Sequence, residues 1–480
     1  MSTVNDRAGA VPANDFGDLA RIAETASGFR LAGMPPTVVN QARLTVLDTI
    51  GCMVAGSDSA GAAKLIAAEI SAAGEGPASV FGTRHKFPMQ AAARLNGYMG
   101  DVFEHNDLIS GHAGIANVAA LLALSEAREA SGAEFLEALV IGLEVTSAVY
   151  LGAWDGMTAY TKPFEEVAIS PPSIPNSIGV AAAAAHLMGL GADGMARAMA
   201  ISASIAGWCP AEAVFRSGGD IKPLLFGGWP ASAGLQAAAY ASAGLTGPAR
   251  VLESEVGYYS TIARRGHPAP SIGKVWRVER PRRKLHACCG YIHSAFDMLV
   301  DMRQCRVPLS EAAEIRVFVP SFVVGCISKP ALPTESLGTV FHGEYSFALA
   351  VAGVEIIEPE HSTGCAEFSA RADVRDAFSR IRIRADWDLT HSLQSRVVVI
   401  APDGTEMASM YSHSPRGAAD NPMTAEDVRA KFMRQAGARL VDRELQDFVG
   451  AVDRLDRSPD TAWLVNALNP APHKSMMRLD

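Results

Sequence analysis

Three short runs of this chain hold most of the side chains that could do chemistry. The first is Asp101-Val102-Phe103-Glu104-His105-Asn106-Asp107, followed closely by Ser110-Gly111-His112-Ala113-Gly114. Carboxylates and two imidazoles fall together there, directly ahead of an apolar stretch. Histidine is the side chain best suited to moving protons near neutral pH. A neighbouring carboxylate can fix its tautomer and raise its basicity, and the glycines around His112 permit close approach of a substrate. The second run is Asp220-Ile221-Lys222-Pro223-Leu224-Leu225-Phe226-Gly227-Gly228, in which Lys222 precedes an almost uncharged segment, Trp229 to Ala241. Lysine is seldom left in apolar surroundings without a carboxylate, and its ammonium is a compact point charge able to hold an anion. A lysine that snorkels to solvent at a helix start fits the same residues. The third run is Arg280-Pro281-Arg282-Arg283-Lys284-Leu285-His286, then Cys288-Cys289-Gly290-Tyr291-Ile292-His293. Four cations beside two histidines could bind carboxylates, as could a merely solvated basic strand end that balances an acidic surface.

Aspartate, glutamate and histidine side by side also suit zinc or iron. The first run lacks H-E-x-x-H and H-x-H spacing, and no further ligand cluster stands out downstream. The expectation is therefore a site with no metal and no cofactor. A solvated, capped loop is the plain alternative for the same residues. Nucleotide binding has no support: no G-x-G-x-x-G stands in a β-α-β context and no G-x-x-x-x-G-K-[ST] occurs. A serine hydrolase is unsupported too, since no G-x-S-x-G falls on a strand–helix turn.

The elements that must position these runs change character along the chain. With 480 residues, two domains are expected. Residues 15–270 read as helix after helix, rich in Ala, Leu, Met and Glu. Asp15-Phe16-Gly17-Asp18-Leu19 opens one helix and Pro35-Pro36-Thr37 a second that runs to Ala55-Gly56. Further helices are expected over 116–130, 134–148, 177–188, 194–206 and 230–243. Their small residues on several sides suggest helices buried by other helices. Near Ile272 short β-branched runs begin, at 275–278, 314–319, 380–384 and 396–401. Pro402-Asp403-Gly404 is a turn. Helices are expected over 291–303 and 424–436. The fold expected is mostly α: a large all-α helical domain, residues 1–271 with 411–480, and a smaller α+β domain, 272–410, with an antiparallel sheet.

Composition narrows the partners. The net charge of −9 argues against a nucleic-acid binder, though a local cluster of cations can still hold a small anionic carboxylate. Hydrophobic residues make up 49% and charged ones 19%, as in a well-buried globular protein. Met1 to Asp15 is polar, without the apolar core of a secretory signal, and runs such as Val180–Ala185 are too short to span a bilayer. The seven cysteines are odd in number, scattered and without C-x-x-C. Reduced thiols in a cytoplasmic protein with no membrane partner are expected.

Taken in order, these runs resemble the MmgE/PrpD family, which includes 2-methylcitrate dehydratase, cis-aconitate decarboxylase and iminodisuccinate epimerase. The likeness starts with Ala42-Arg43, Leu47-Asp48-Thr49-Ile50-Gly51 and Ala55-Gly56. It continues through Asn96-Gly97, Asp101 to His112, Lys222-Pro223-Leu224 and Gly244-Leu245-Thr246-Gly247-Pro248. It takes in Lys284 with the following cysteine and histidine, Asp403-Gly404, Pro415-Arg416-Gly417, Asn421-Pro422-Met423-Thr424 and Lys431-Phe432. The resemblance implies a homodimer with a metal-free site at the domain junction, acting beside the carboxylates of small di- and tricarboxylic acids. By position it aligns Asp101, His112, Lys222 and Lys284 with the family's site residues. The chain departs from the family at three places: His112-Ala113-Gly114 replaces His-Pro-Ser, His105 stands at a threonine position, and Ser170 stands where a second histidine is usual. These departures imply an altered substrate or altered stereochemistry.

The function expected is a cofactor-independent lyase on a di- or tricarboxylic acid, with proton transfer next to a carboxylate. Dehydration is the first choice; decarboxylation and epimerisation are the alternatives, followed by a non-catalytic acid-binding protein and a metal-dependent hydro-lyase. The catalytic residues expected are His112, Asp101, Lys222 and His105. The substrate-binding residues expected are Lys284, His293, Ser170 and Arg283.

Overall fold

In the computed structural model, residues 17–152, 169–215, 219–262 and 269–469 are described. Asp15 and Phe16, expected to open the first helix, and the polar stretch before them lie outside these residues. The helix itself runs Asp18–Ser27.

Helices dominate because the chain supplies starts and apolar faces in register. Pro36 enters the first turn of helix Pro36–Ser57, where its missing N–H costs nothing. Ser131 accepts from the Glu134 N–H while the Glu134 carboxylate accepts from the Ser131 N–H, a capping box that starts helix Gly132–Leu151. That helix packs on Ser173–Leu187, which packs in turn on Gly191–Ile205 and Trp229–Ser242. Ala181 to Ala185 are all fully buried, so this helix is enclosed on every side, as its alanine run anticipated. The expected helices therefore stand, with ends shifted by a few residues.

Close backbone approach matters most ahead of the site. Helix Met89–Met99 lies against Leu224–Gly228, a π-helical turn just after Lys222. A Cβ on Gly97 would fall 2.5 Å from the Gly227 carbonyl oxygen, and one on Gly227 would fall 2.8 Å from the Gly97 carbonyl carbon. Only glycine at both positions lets the two segments touch, and that contact sets where Lys222 enters the interior. π-helical turns recur at functional sites.

The second half carries one four-stranded sheet, in the order β2-β1-β3-β4: β1 (Glu314–Val319), β2 (Ile381–Ala385), β3 (Ser395–Ile400) and β4 (Glu406–Ser412). The sheet is mixed, not antiparallel throughout. β1 pairs with β3, and β3 with β4, in antiparallel fashion, but β1 and β2 run parallel, Ile315 opposite Ile381. Helices Ser321–Ile327, Gly343–Val351 and Ala372–Arg380 lie between these two strands and form the crossover that a parallel pair requires. Residues 275–278, expected as a strand, form no strand; Arg277–Glu279 is a 3₁₀ turn. β4 was not anticipated, because Glu406-Met407-Ala408-Ser409-Met410 is poor in β-branched residues and the strand is only part-buried at the sheet edge. The β3–β4 turn holds Gly404 at φ +85°, as expected of its Pro-Asp-Gly sequence.

Two of the contacts that bring the halves together frame the site. Leu108 and Arg282 form an isolated antiparallel bridge, Leu108 N–H to Arg282 O at 2.6 Å and Arg282 N–H to Leu108 O at 2.8 Å. Helix Ala425–Ala436, capped by Thr424, packs on helix Pro36–Ser57. The loop 101–112 is held between these links.

Candidate active site

Loop 101–112 is compact and strained. Glu104 and Ser110 adopt left-handed φ values of +54° and +49°, uncommon for residues with a side chain. The Glu104 carboxylate is the centre of the arrangement. One oxygen pairs with Lys222 Nζ; the other lies 3.0 Å from Lys284 Nζ and 3.9 Å from His112 Nε2. Lys222 Nζ also donates to Asp101 Oδ2 at 2.7 Å, and Lys284 Nζ to the Glu104 carbonyl at 2.7 Å. Phe226 and Phe341 lie under the Lys222 ammonium, with ring centroids at 4.6 and 5.7 Å. All these groups are buried.

A second chain of hydrogen bonds fixes the imidazole. Asn106 Nδ2 donates to Asp101 Oδ1 at 2.6 Å, which leaves Asn106 Oδ1 as an acceptor 2.6 Å from His112 Nδ1. The proton of a neutral His112 therefore resides on Nδ1, and Nε2 carries the lone pair. Burial drives the His112 value well below the ordinary histidine range, against the pull of Glu104, so the ring is a neutral base at physiological pH.

The two carboxylates part company. Burial raises Asp101 to about 7 against the Lys222 charge, and the Glu104 charge adds to the rise. Burial acts on Glu104 too, but Lys222 and Lys284 together outweigh it and hold the carboxyl well below its usual value. Burial would lower Lys222; the Asp101 and Glu104 charges overcome it and raise the ammonium above its ordinary range. Glu104 is thus held in its ionised form while Asp101 is pushed toward its protonated one, the divergence that distinguishes acid from base in many active sites.

Beside this cluster opens a cavity of about 280 Å³. Glu104, His112, Ser170, Arg280, Arg282, Lys284 and His391 supply much of its polar wall, and Tyr150, Leu151, Val214, Phe226 and Phe341 much of its apolar one. Lys222 and Asp101 stand one layer behind, in contact with Glu104.

The expected residues divide. Asp101, His112, Lys222 and Lys284 converge on Glu104, and Ser170 lies in the cavity wall. Three others point elsewhere. His105 has both ring nitrogens engaged, Nε2 with Leu285 O at 3.0 Å and Nδ1 with Gln435 Nε2 at 2.9 Å, on the side of the loop away from the cavity. His293 lies outside the wall, its Nε2 3.3 Å from Cys288 O and its ring edge-on to His286. Arg283 donates to Gln41 Oε1 and to Thr45 Oγ1 behind the site. Backbone geometry explains the last: successive side chains of an extended segment face opposite ways, so Arg280, Arg282 and Lys284 share the cavity face and Arg283 does not.

Residues 20–270 match the MmgE/PrpD N-terminal domain and residues 286–456 the MmgE/PrpD C-terminal domain. The chain belongs to the MmgE/PrpD family. Its similar relatives include a cis-aconitate decarboxylase-like protein of Aspergillus oryzae, 24% identical over 482 residues, with 93% of this chain and 96% of the relative covered. The cis-aconitate decarboxylase of Aspergillus terreus is 24% identical, covering 96% and 97% of the two chains. That of Homo sapiens is 24% identical, covering 93% of each. These relatives are named as cis-aconitate decarboxylases or decarboxylase-like, and the dehydratase reading favoured from sequence has no counterpart among them.

Within this MmgE/PrpD protein, sequence reasoning left Glu104 and Asn106 without roles and named Arg282 only among four cations able to bind carboxylates. The three-residue spacing of Asp101 and Glu104 within a tight turn, and the alternation over 280–284, were the available signals. Ligand atoms of Asp101, Glu104 and His112 lie within 4.8 Å of one another, a set able to hold a divalent cation. Ammonium groups already bond to Asp101 Oδ2 and to both Glu104 oxygens, so the lysines compete for the positions such an ion would take. The seven cysteines are all unpaired. Among the described residues, no helix is long and apolar enough to cross a membrane.

Proposed function

We propose that this protein is a lyase of small polycarboxylates that works by proton transfer at a carbon beside a carboxylate, without a metal or organic cofactor. The observation that carries the reading is the neutral His112 ring, locked by Asn106 with its lone pair on Nε2, beside two ammonium groups that meet on Glu104. A carbon next to a carboxylate is a weak acid. Charge that develops on the substrate carboxylate as the proton leaves needs fixed positive neighbours in a dry site. Lys284 lines the cavity and takes that role directly; Lys222 adds its charge from behind Glu104. His112 Nε2 accepts the proton, and Asp101 orients His112 through Asn106. In a dehydration the electron pair of the broken C–H bond forms the double bond and the β-hydroxyl leaves as water, taking up a proton from the site.

Decarboxylation is the second reading, favoured by the curated relatives. There the same cations stabilise the carbanion left as carbon dioxide departs, and the carbon takes up one proton from the imidazolium form of His112, which regains it from water. Ser170 in place of a histidine removes one proton carrier from the wall, which is easier to reconcile with a changed substrate than with a lost activity while His112 remains.

Chelator-treated protein incubated separately with 2-methylcitrate, citrate and cis-aconitate, followed by NMR of the products, tests both readings. Loss of water from either citrate supports dehydration, and carbon dioxide with a five-carbon diacid from cis-aconitate supports decarboxylation. If chelation abolishes turnover that added divalent metal restores, the metal-free reading falls.

A further inference from the structure

Arg282 is the group that the cluster around Glu104 leaves unexplained. Its side chain lines the cavity and is part-buried, and desolvation lowers its value below the ordinary arginine range. Among the described residues no carboxylate lies within ion-pair distance of it; its one hydrogen bond runs from Nη2 to Gly290 O at 2.7 Å. A part-buried guanidinium that faces a cavity without a counter-ion has donors to spare, and its planar fork matches a carboxylate. Arg283, the next residue, shows the contrast: its two Nη groups donate to Gln41 and Thr45, with Asp48 and Asp107 near enough to act on its charge.

The backbone aims Arg282 on purpose. The Leu108–Arg282 bridge holds the segment extended, so Lys284, two residues on, faces the same cavity about 6.6 Å along the chain. Gly290 provides the seat: a Cβ there would fall 2.9 Å from Arg282 Cζ and 3.0 Å from Nη1. Any larger residue at 290 would push the guanidinium off its position.

We propose that Arg282, seated on Gly290, anchors a second substrate carboxylate, making the cavity a two-ended anion site that selects di- and tricarboxylates over monocarboxylates. The inference rests on the reading that the cavity takes carboxylates and adds the residue that sets how many it takes. Lys284 and Glu104 mark the reacting group; Arg282, two residues before Lys284 on the same cavity face, would hold the second carboxylate, with Arg280 on the same wall.

Calorimetric titration with tricarballylate, succinate and butyrate tests it without any turnover. The wild type binds tricarballylate and succinate well above butyrate. Arg282→Gln weakens the first two on the order of 100-fold, leaves butyrate unchanged, and so erases the preference; Arg282→Lys restores part of it. Gly290→Ala keeps every charged side chain, displaces only the mobile end of Arg282, and lowers the preference in the same direction. It is also the deciding variant if Arg282→Gln does not fold. Wild-type preference persisting in Gly290→Ala and in any folded Arg282→Gln protein overturns the proposal, as does a wild type that binds butyrate as tightly as succinate. Absence of proton exchange with intact Arg282-dependent binding would instead remove the lyase reading and leave this one standing.

Discussion

Two buried lysines bracket the same loop, and they differ in what lies beyond them. Lys222 meets Asp101 at 2.7 Å on one side of loop 101–112; Lys431 meets Asp48 at 2.7 Å on the other and donates to the His105 carbonyl at 2.7 Å. Both are raised above the ordinary lysine range although burial opposes the rise, because aspartate charge overcomes it. Lys431 and Asp48 are fully sealed in the core. The carboxylates of Lys222, by contrast, reach through Glu104 to a second ammonium, an imidazole and a cavity. A buried ion pair therefore does not mark a site by itself. The Lys431 pair secures the back of the loop, and the Lys222 cluster presents its front. His105 and His112 repeat the contrast, one with both nitrogens occupied and the other with Nε2 left to take a proton.

The largest expected effect sharpens that contrast. His112→Ala lowers turnover about 100- to 10,000-fold with little change in the urea midpoint, whereas a loss no greater than that of His105→Gln would erase the distinction. Next come the lysines. Lys431→Met strands Asp48 in the core and costs about 3–5 kcal/mol in urea unfolding, while turnover per folded molecule persists. Lys222→Met costs less stability, because Asp101 can take up a proton and Glu104 keeps Lys284, yet it removes turnover. The reverse pattern would assign the roles the other way round.

A smaller effect belongs to His105. Replacing it with glutamine costs about 1 kcal/mol and changes the pH dependence. Burial, aided by the Lys431 charge, holds the folded-state value far below the ordinary 6.5. The unfolded chain thus binds a proton near 6.5 that the folded chain refuses. Wild type, relative to His105→Gln, loses stability as pH falls below 6.5, by up to about 1.4 kcal/mol per pH unit, until the folded-state value is reached. Urea titrations of both proteins between pH 7 and 5 measure this; parallel curves would mean that the His105 ring is not held neutral. The smallest expected effect is that of a chelator: treatment leaves turnover unchanged, and a loss restored by divalent metal would place an ion among Asp101, Glu104 and His112.

The helical half was legible because its alanine, leucine and glutamate stretches follow one period and carry starts such as Pro36 and the Ser131–Glu134 box. The mixed sheet was less so, since strand direction depends on what crosses between β1 and β2 and is not written in either strand. Sequence brought Asp101, His112, Lys222 and Lys284 together through order along the chain and family likeness. It could not separate His105 from His112, because two histidines in one loop differ only in which way the loop turns them. It passed over Glu104 for a related reason: the left-handed turn at that residue, which brings its carboxylate between two lysines, has no glycine to announce it.

The most direct test is proton NMR of protein and tricarballylate, citrate or cis-aconitate in deuterium oxide, comparing wild type with His112→Ala. The account predicts deuterium entering the carbon beside a carboxylate in at least one compound with wild type and in none with the variant. Exchange that survives in His112→Ala, or none in wild type with any polycarboxylate, would contradict it.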